Sequence, residues 1–276
     1  MSFELDLIEI ALRDIKASEI LYENKLYGQS YFYFQQASEK ANKAFGLFAD
    51  IISKNDLKNI QHNQLKIHRT ALVSQEAELL EFSKNLKSNP PIAEHPFLKK
   101  EVLENHYQNL KEGLKFYDSA KQLDLLNYTK EELNGYLDVM DELNKMKIRR
   151  SKKVDNLLLK EMALLSDFSD TFYHEKEALE FKSAINEPEE FISMVYQYSK
   201  SVYGMLYIYV CCYFSALLTI RHSTLSRYPD GSDNPLTFYN MKNNSVKFQP
   251  YFMEHLKRSL KLLRQRIKDY EKNQSN

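Results

Sequence analysis

Twenty consecutive residues without a charge, Ser201 to Ile220, sit between Lys200 and Arg221 in an otherwise strongly charged chain. A run of that length either crosses a hydrocarbon core or fills the centre of a protein as a buried helix. Its tyrosines, Tyr203, Tyr207, Tyr209 and Tyr213, spread along the interior of the run instead of gathering at two interfacial belts, and Ser215 and Thr219 add further polar groups. The run therefore predicts a central core helix and no membrane span. A chain built round such a helix must wrap it with amphipathic partners.

Those partners are visible as helical periodicity. Leu5, Ile8, Leu12, Ile15 and Ile20 form one apolar stripe and predict a helix over residues 4–24. Lys25 to Ser30 reads as a turn around Gly28, and Phe34, Ala37, Ala41, Phe45 and Phe48 predict a second helix antiparallel to the first. Tyr31, Phe32, Tyr33 and Phe34 point all round that helix, so at least two of the four are expected away from the main core. A third helix is expected from about Asp56, carrying Ile60, Leu65, Leu72, Leu79 and Leu86, up to the breaker at Asn89-Pro90-Pro91. Further helices are expected from Phe97 to about Leu126, from the capping box Thr129-Lys130-Glu131-Glu132, and from the Asn186-Glu187-Pro188-Glu189 start. Phe252, Leu256, Leu260, Leu263, Ile267 and Tyr270 share one face of a terminal helix. With only 6 Gly and 7 Pro in 276 residues, a turn-rich β architecture is excluded and an all-α fold is predicted.

Charge and motif content exclude several functions. Thirty-eight basic residues balance 38 acidic ones, so the whole molecule lacks the field of a general nucleic-acid binder and any anion contact must be a local patch. Two local concentrations exist. Lys145 to Lys153 holds six basic residues in nine, and Lys242 to Lys272 holds nine basic residues against three acidic; each is either a phosphate or acidic-partner surface or a solvated helix face. Cys211 and Cys212 are adjacent and cannot staple distant segments, and no apolar leader stands ahead of a cleavage site, so a reduced, cytoplasmic setting is expected. No phosphate loop, dinucleotide fingerprint, Cys-x-x-Cys, His-Glu-x-x-His or Gly-x-Ser-x-Gly is present. The residues three before the seven histidines are Asn59, Leu65, Ile92, Leu103, Thr171, Thr219 and Phe252, never Glu, so a di-iron bundle is excluded. His62 and His68, six apart, do not share a helix face as a metal pair would and are read as solvated or core-edge. No metal and no cofactor is expected.

Arg221, His222, Arg227, Tyr228 and Asp230 cluster within ten residues at the end of the most apolar segment. Guanidinium groups beside a low-dielectric core bind phosphate strongly, which makes this cluster a candidate anion or nucleotide site; equally, Arg227 and Asp230 could pair to lock the turn at Pro229. Lys40 and Lys43 on the second helix either face the same cleft or are solvated.

Two segments together resemble the HEPN domain, a helical family of prokaryotic toxin–antitoxin and phage-defence proteins. The first is residues 11–52, where Gln36, Ala37, Glu39, Lys40, Lys43 and Ala44 form the most telling string; the second is Leu225 to Asp230, whose Arg227-Tyr228-Pro229 is similar to the ending of many HEPN domains, followed by a terminal helix. The resemblance implies an antiparallel helical bundle of HEPN type, made of residues 1–87 and 187–276, with a helical segment, 88–186, inserted between them. It implies a homodimer, a nucleotide or RNA as ligand, and a nucleotidyltransferase or other protein as partner. RNA-cleaving members carry an Arg followed by four to six residues and then His. Here no Arg stands at those distances before any His, and Arg221 and His222 are adjacent, about 100° apart round a helix. The expectation is therefore a nucleotide-, nucleic-acid- or partner-binding protein without the usual ribonuclease site. The alternatives are a divergent, metal-independent ribonuclease using His222 and Arg227, and a scaffold acting through its insertion.

Overall fold

A computed structural model describes residues 2–87, 99–119, 125–160, 187–225 and 234–274 of the chain. Its helices are α1 (Phe3–Glu23), α2 (Tyr27–Phe48), α3 (Leu57–Ile60), α4 (Leu65–Lys87), α5 (Lys100–Ser119), α6 (Lys130–Lys145), α7 (Pro188–Thr219), α8 (His222–Leu225), α9 (Pro235–Phe238) and α10 (Asn244–Gln274). A 3₁₀ turn precedes α3, residues 152–160 are also helical, and no strand occurs among the described residues. The fold is all-α, as the periodicity predicts. Two compact units divide it: Met1–Glu142 together with Tyr207–Asn276, and Leu143–Leu206.

In the first unit α1 and α2 pack antiparallel. The turn between them is not centred on Gly28, which lies inside α2; Lys25 takes the positive φ of 60° instead. The N–H groups of Lys25 and Leu26 return to Tyr22 O and Leu21 O, while the Asn24 side chain donates to Ile20 O, so the last carbonyls of α1 are satisfied without glycine. Ser18 and Ser30 exchange side-chain-to-carbonyl hydrogen bonds at 2.7 and 2.8 Å across the pair, and Gln249 of α10 donates to both hydroxyls. Small serines here let three backbones approach. Phe252, Leu256, Leu260, Leu263 and Ile267 bury the expected face of α10, whereas Tyr270 at its far end is 58% exposed. Of the four aromatics at the start of α2, Tyr31 and Phe34 are fully buried and Tyr33 is 36% exposed.

The apolar run lies in α7, whose most hydropathic window is half buried within the protein. Its part in the first unit buries Ile208, Cys211, Cys212, Ala216, Leu217 and Leu218. Burial pushes the Cys211 thiol up to about 12, so it stays protonated and inert. Two hydroxyls secure the last turn of the helix: Tyr31 donates to Leu218 O and Tyr128 to Leu217 O, both at 3.0 Å. Those carbonyls would otherwise lack partners.

A second polar network joins α2, α4 and α7. His68 Nε2 donates to Asn42 Oδ1 at 2.7 Å, and Asn42 Nδ2 lies 3.0 Å from both Gln64 Oε1 and Cys212 O. Ser38 donates to Gln64 Oε1 at 2.6 Å, and Gln64 reaches Thr219. All of these polar side chains are fully buried. The expected third helix is broken here: α3 ends at Ile60, Gln61 has φ 49°, and α4 starts at Leu65. The Thr129–Glu132 capping box forms as expected, with reciprocal bonds of 2.8 and 3.2 Å, and starts α6. The Asn89-Pro90-Pro91 breaker and the Asn186 cap lie outside the described residues.

In the second unit Arg150, from the basic run, bridges Asp155 and Glu189 at 3.0 and 2.6 Å, and the Ser151 N–H meets the Tyr196 hydroxyl.

Two glycines separate close packing from mere helix propensity. A Cβ at Gly46 would come within 2.8 Å of Ile67 Cγ2, inside a closed cluster with Ile52, whereas a Cβ at Gly135 meets nothing within 4 Å. Gly135→Ala should raise stability by about 0.5–1 kcal/mol. Gly46→Ala should lower it by about 1 kcal/mol after the propensity gain is subtracted. Urea unfolding followed by circular dichroism reads both, and equal effects would refute the packing account.

His68 and His222 are fully buried, and burial lowers each imidazole to about 3. The unfolded chain takes up these protons below about pH 6.5, while the folded chain does not until about pH 3, so stability is full above that window and falls through it on acidification. At pH 5 each histidine should cost roughly 2 kcal/mol. A urea midpoint that is unchanged between pH 7 and pH 5 would contradict this.

Candidate functional site

The break between α3 and α4 is held by α2. Ser38 and Glu39 are neighbours on α2, and each takes hold of one residue of the break: Ser38 bonds Gln64, and Glu39 Oε2 bonds His62 Nδ1 at 2.8 Å. Glu39 Oε1 receives Lys43 Nζ at 2.7 Å, one helical turn along. The Glu39 side chain is nearly buried, at 9% exposure. Burial alone would raise its carboxyl, but the hydrogen bonds and charges of Lys43 and His62 outweigh it and hold the group below the ordinary glutamate value. Glu39 is thus an anion. A carboxylate only accepts, which puts a proton on His62 Nδ1 and leaves Nε2 as the nitrogen open to a ligand. The His62 side chain is 63% exposed.

His62 lies on the wall of a cavity of about 600 Å³, within the size range of small-molecule sites. Lys66 and Arg69, three apart on the first turns of α4, share this wall, and Arg221 enters from the end of α7. Tyr117 and Asp118 close it from the end of α5, and Ile60, Leu65, Leu125 and Ile220 supply an apolar side. Among the described residues, three cations therefore face the space against one carboxylate. Asp118 takes Arg69 Nε at 2.9 Å, and Lys66 Nζ donates to Asn59 O at 2.5 Å, which fixes both side chains at the rim. Tyr117 is largely buried among Tyr209 and Tyr213, and burial lifts its phenol well above the usual range, so it is a neutral wall.

The residues expected from the sequence divide. Arg221 lines the cavity and is exposed. His222, one position on, turns into the core: its Nδ1 meets the Tyr239 hydroxyl at 2.7 Å and its ring packs on Tyr31 at 4.4 Å between centroids. It is neutral and has no exposed surface. Lys43 supports the cavity through Glu39, while Lys40 pairs with Asp14 of α1 at 2.8 Å. Arg227, Tyr228 and Asp230 lie outside the described residues. In the basic terminal segment, Lys257 and Arg264 pair with Glu19 and Glu9 of α1, Arg258 pairs with Glu254, and Lys261, Lys268 and Lys272 stay exposed. His62, Lys66, Arg69 and Glu39 were not singled out as site residues by the sequence. The i, i+3 spacing of Lys66 and Arg69 is the one signal that could have found part of the group.

Comparison with curated proteins and with solved structures returns no match. Comparison with protein families matches the HEPN domain over residues 5–131, from α1 to the first residues of α6. The match contains Glu39, His62, Lys66, Arg69, Tyr117 and Asp118, whereas Ile220 and Arg221 come from helical material beyond it. The helix pairing, the string from Gln36 to Ala44 and this family match together show that the chain carries a HEPN domain, to which further helices are added.

Proposed function

We propose that this chain binds a nucleotide, with its phosphates against Lys66, Arg69 and Arg221 and its base against the apolar side of the same cavity. The carrying observation is the cavity itself: among the described residues its lining combines three cations and one carboxylate with the apolar or aromatic side chains of Tyr117, Leu125 and Ile220. Such an arrangement recognises a ligand that is anionic at one end and apolar and flat at the other. Net charge supports a small ligand over a polynucleotide, since the chain balances 38 basic against 38 acidic residues and the cationic surface is local. The ribonuclease reading draws no support from His222, which lies in the core. Within a prokaryotic defence or toxin–antitoxin setting, occupancy of this cavity is then the output that a partner reads.

Titration calorimetry with ATP and AMP at low ionic strength tests the proposal. Arg221→Ala and Lys66→Ala should each weaken binding by roughly tenfold or more, the loss of one charge-assisted contact. Lys268→Ala, on an exposed face of α10 away from the cavity, should leave affinity unchanged. Absence of binding by the wild-type chain, or equal losses in all three variants, would overturn it.

A further inference from the structure

Resting on the nucleotide-binding reading, we propose that Glu39 and His62 form a carboxylate–imidazole dyad that activates water to hydrolyse a phosphoanhydride bond of the bound nucleotide. Several independent features converge on His62. Its Nδ1 is committed to Glu39 Oε2 at 2.8 Å, so its orientation and tautomer are set by a carboxylate whose other oxygen is held by Lys43 at 2.7 Å. Gln35 Nε2, 3.4 Å from the same carboxylate, steadies it further. This is the geometry of a general base with an orienting partner. The backbone also carries a cost at this point: Gln61, immediately before His62, takes φ 49° and ψ −118°, a region where a side chain is strained by about 1–3 kcal/mol. Strain of that size persists where neighbouring contacts over-determine the conformation, and here those contacts are Ser38 to Gln64 and Glu39 to His62.

The surroundings select the reaction. Among the described residues His62 is the one imidazole on the cavity wall, and the lining offers no second imidazole to act as a proton donor. Lys66, Arg69 and Arg221 are full cations, Asp118 is tied to Arg69, and Tyr117 is buried and neutral. An ester would release an alkoxide that needs a proton from a second acid. An anhydride releases a phosphate, which leaves as a stable anion beside cations. In the step, His62 Nε2 takes one proton from water as the water oxygen forms a bond to the terminal phosphorus. The bond from that phosphorus to the bridging oxygen breaks, and its electron pair stays on the departing nucleotide phosphate. The proton on His62 then passes to solvent. Lys66, Arg69 and Arg221 offset the charge that gathers on the phosphoryl oxygens. Water is the only co-reactant.

Phosphate release from ATP by the full-length chain, measured beside calorimetric ATP binding in the same buffer with magnesium, tests the dyad. His62→Gln alters an exposed side chain, so it should fold, bind ATP within about twofold of wild type and lose roughly a hundredfold or more in rate, the usual yield of a general base. Glu39→Gln, a positioning change, should slow the reaction less than His62→Gln and lower kcat while leaving the KM for ATP unchanged, a split that a merely structural role of Glu39 would not produce. ATP binding without phosphate release, or equal release by wild type and His62→Gln, would overturn the dyad and leave the binding site standing. Failure of the wild-type chain to bind ATP would overturn both.

Discussion

The buried hydrogen-bond network of Asn42, Gln64 and His68 is the constraint from which the rest of the first unit follows. Each member comes from a different place: the middle of α2, the break before α4, and α4 itself, with the Cys212 carbonyl and the Thr219 hydroxyl of α7 completing it. Apolar packing alone would let these helices slide, since Leu, Ile and Ala contacts have little directional preference. Buried polar groups do not slide, because any displacement leaves a donor or acceptor unpaired in a low-dielectric interior at about 1–3 kcal/mol each. Register between α2, α4 and α7 is therefore set by polar groups and filled in by apolar ones. Gln64 carries that precision outward, because it is the last residue of the break on which His62 sits.

Much of the fold was legible because period and caps are local properties. Five of the six apolar positions proposed for the terminal helix are buried, the α1–α2 pair forms, and Thr129 and Glu132 make the expected capping box. What the periodicity missed is equally physical. Ile60 and Leu65 keep a spacing compatible with one helix, and no Gly or Pro separates them, so nothing local announces the break at Gln61. The break exists because Ser38 and Glu39, more than twenty residues earlier, bond to it. Similarly, the α1–α2 turn places positive φ at Lys25, where Asn24 and the backbone satisfy the helix end, while the nearby Gly28 is simply helical. The site was legible in part: Arg221 stands out beside the uncharged run, but the contacts that make His62 and Lys66 its neighbours are tertiary.

The histidines show how one side chain is divided between structure and chemistry. His68 and His222 are sealed among Tyr209, Tyr213, Tyr31 and Tyr239, where charging is so costly that they remain neutral hydrogen-bonding aromatics far below physiological pH. His62 is the inverse case. It faces solvent on one side and hydrogen-bonds a nearly buried carboxylate on the other. An imidazole that must move a proton reversibly needs the second environment. This is also why His222, although adjacent in sequence to the cavity's Arg221, is the wrong histidine for proton transfer: the helix turn that points Arg221 outward points its neighbour in.

The boundary of the family match sharpens what the added helices do. Residues 5–131 supply Glu39, His62, Lys66, Arg69, Tyr117, Asp118 and Leu125, yet one further wall of the cavity, Ile220 and Arg221, follows the match by about ninety positions. Without that wall the basic group on α4 would be a solvated surface whose charges are screened within a Debye length, and its attraction for a phosphate would be small. Bringing Ile220 against it removes water from one side and adds a guanidinium, and both changes strengthen every ionic contact in the space. The end of α7 can do this reproducibly because Tyr31 and Tyr128 hold its last two carbonyls, and Tyr31 belongs to the same α2 that carries Glu39. One helix thus positions both halves of the cavity, so the added helices complete a site that the matched domain alone leaves open.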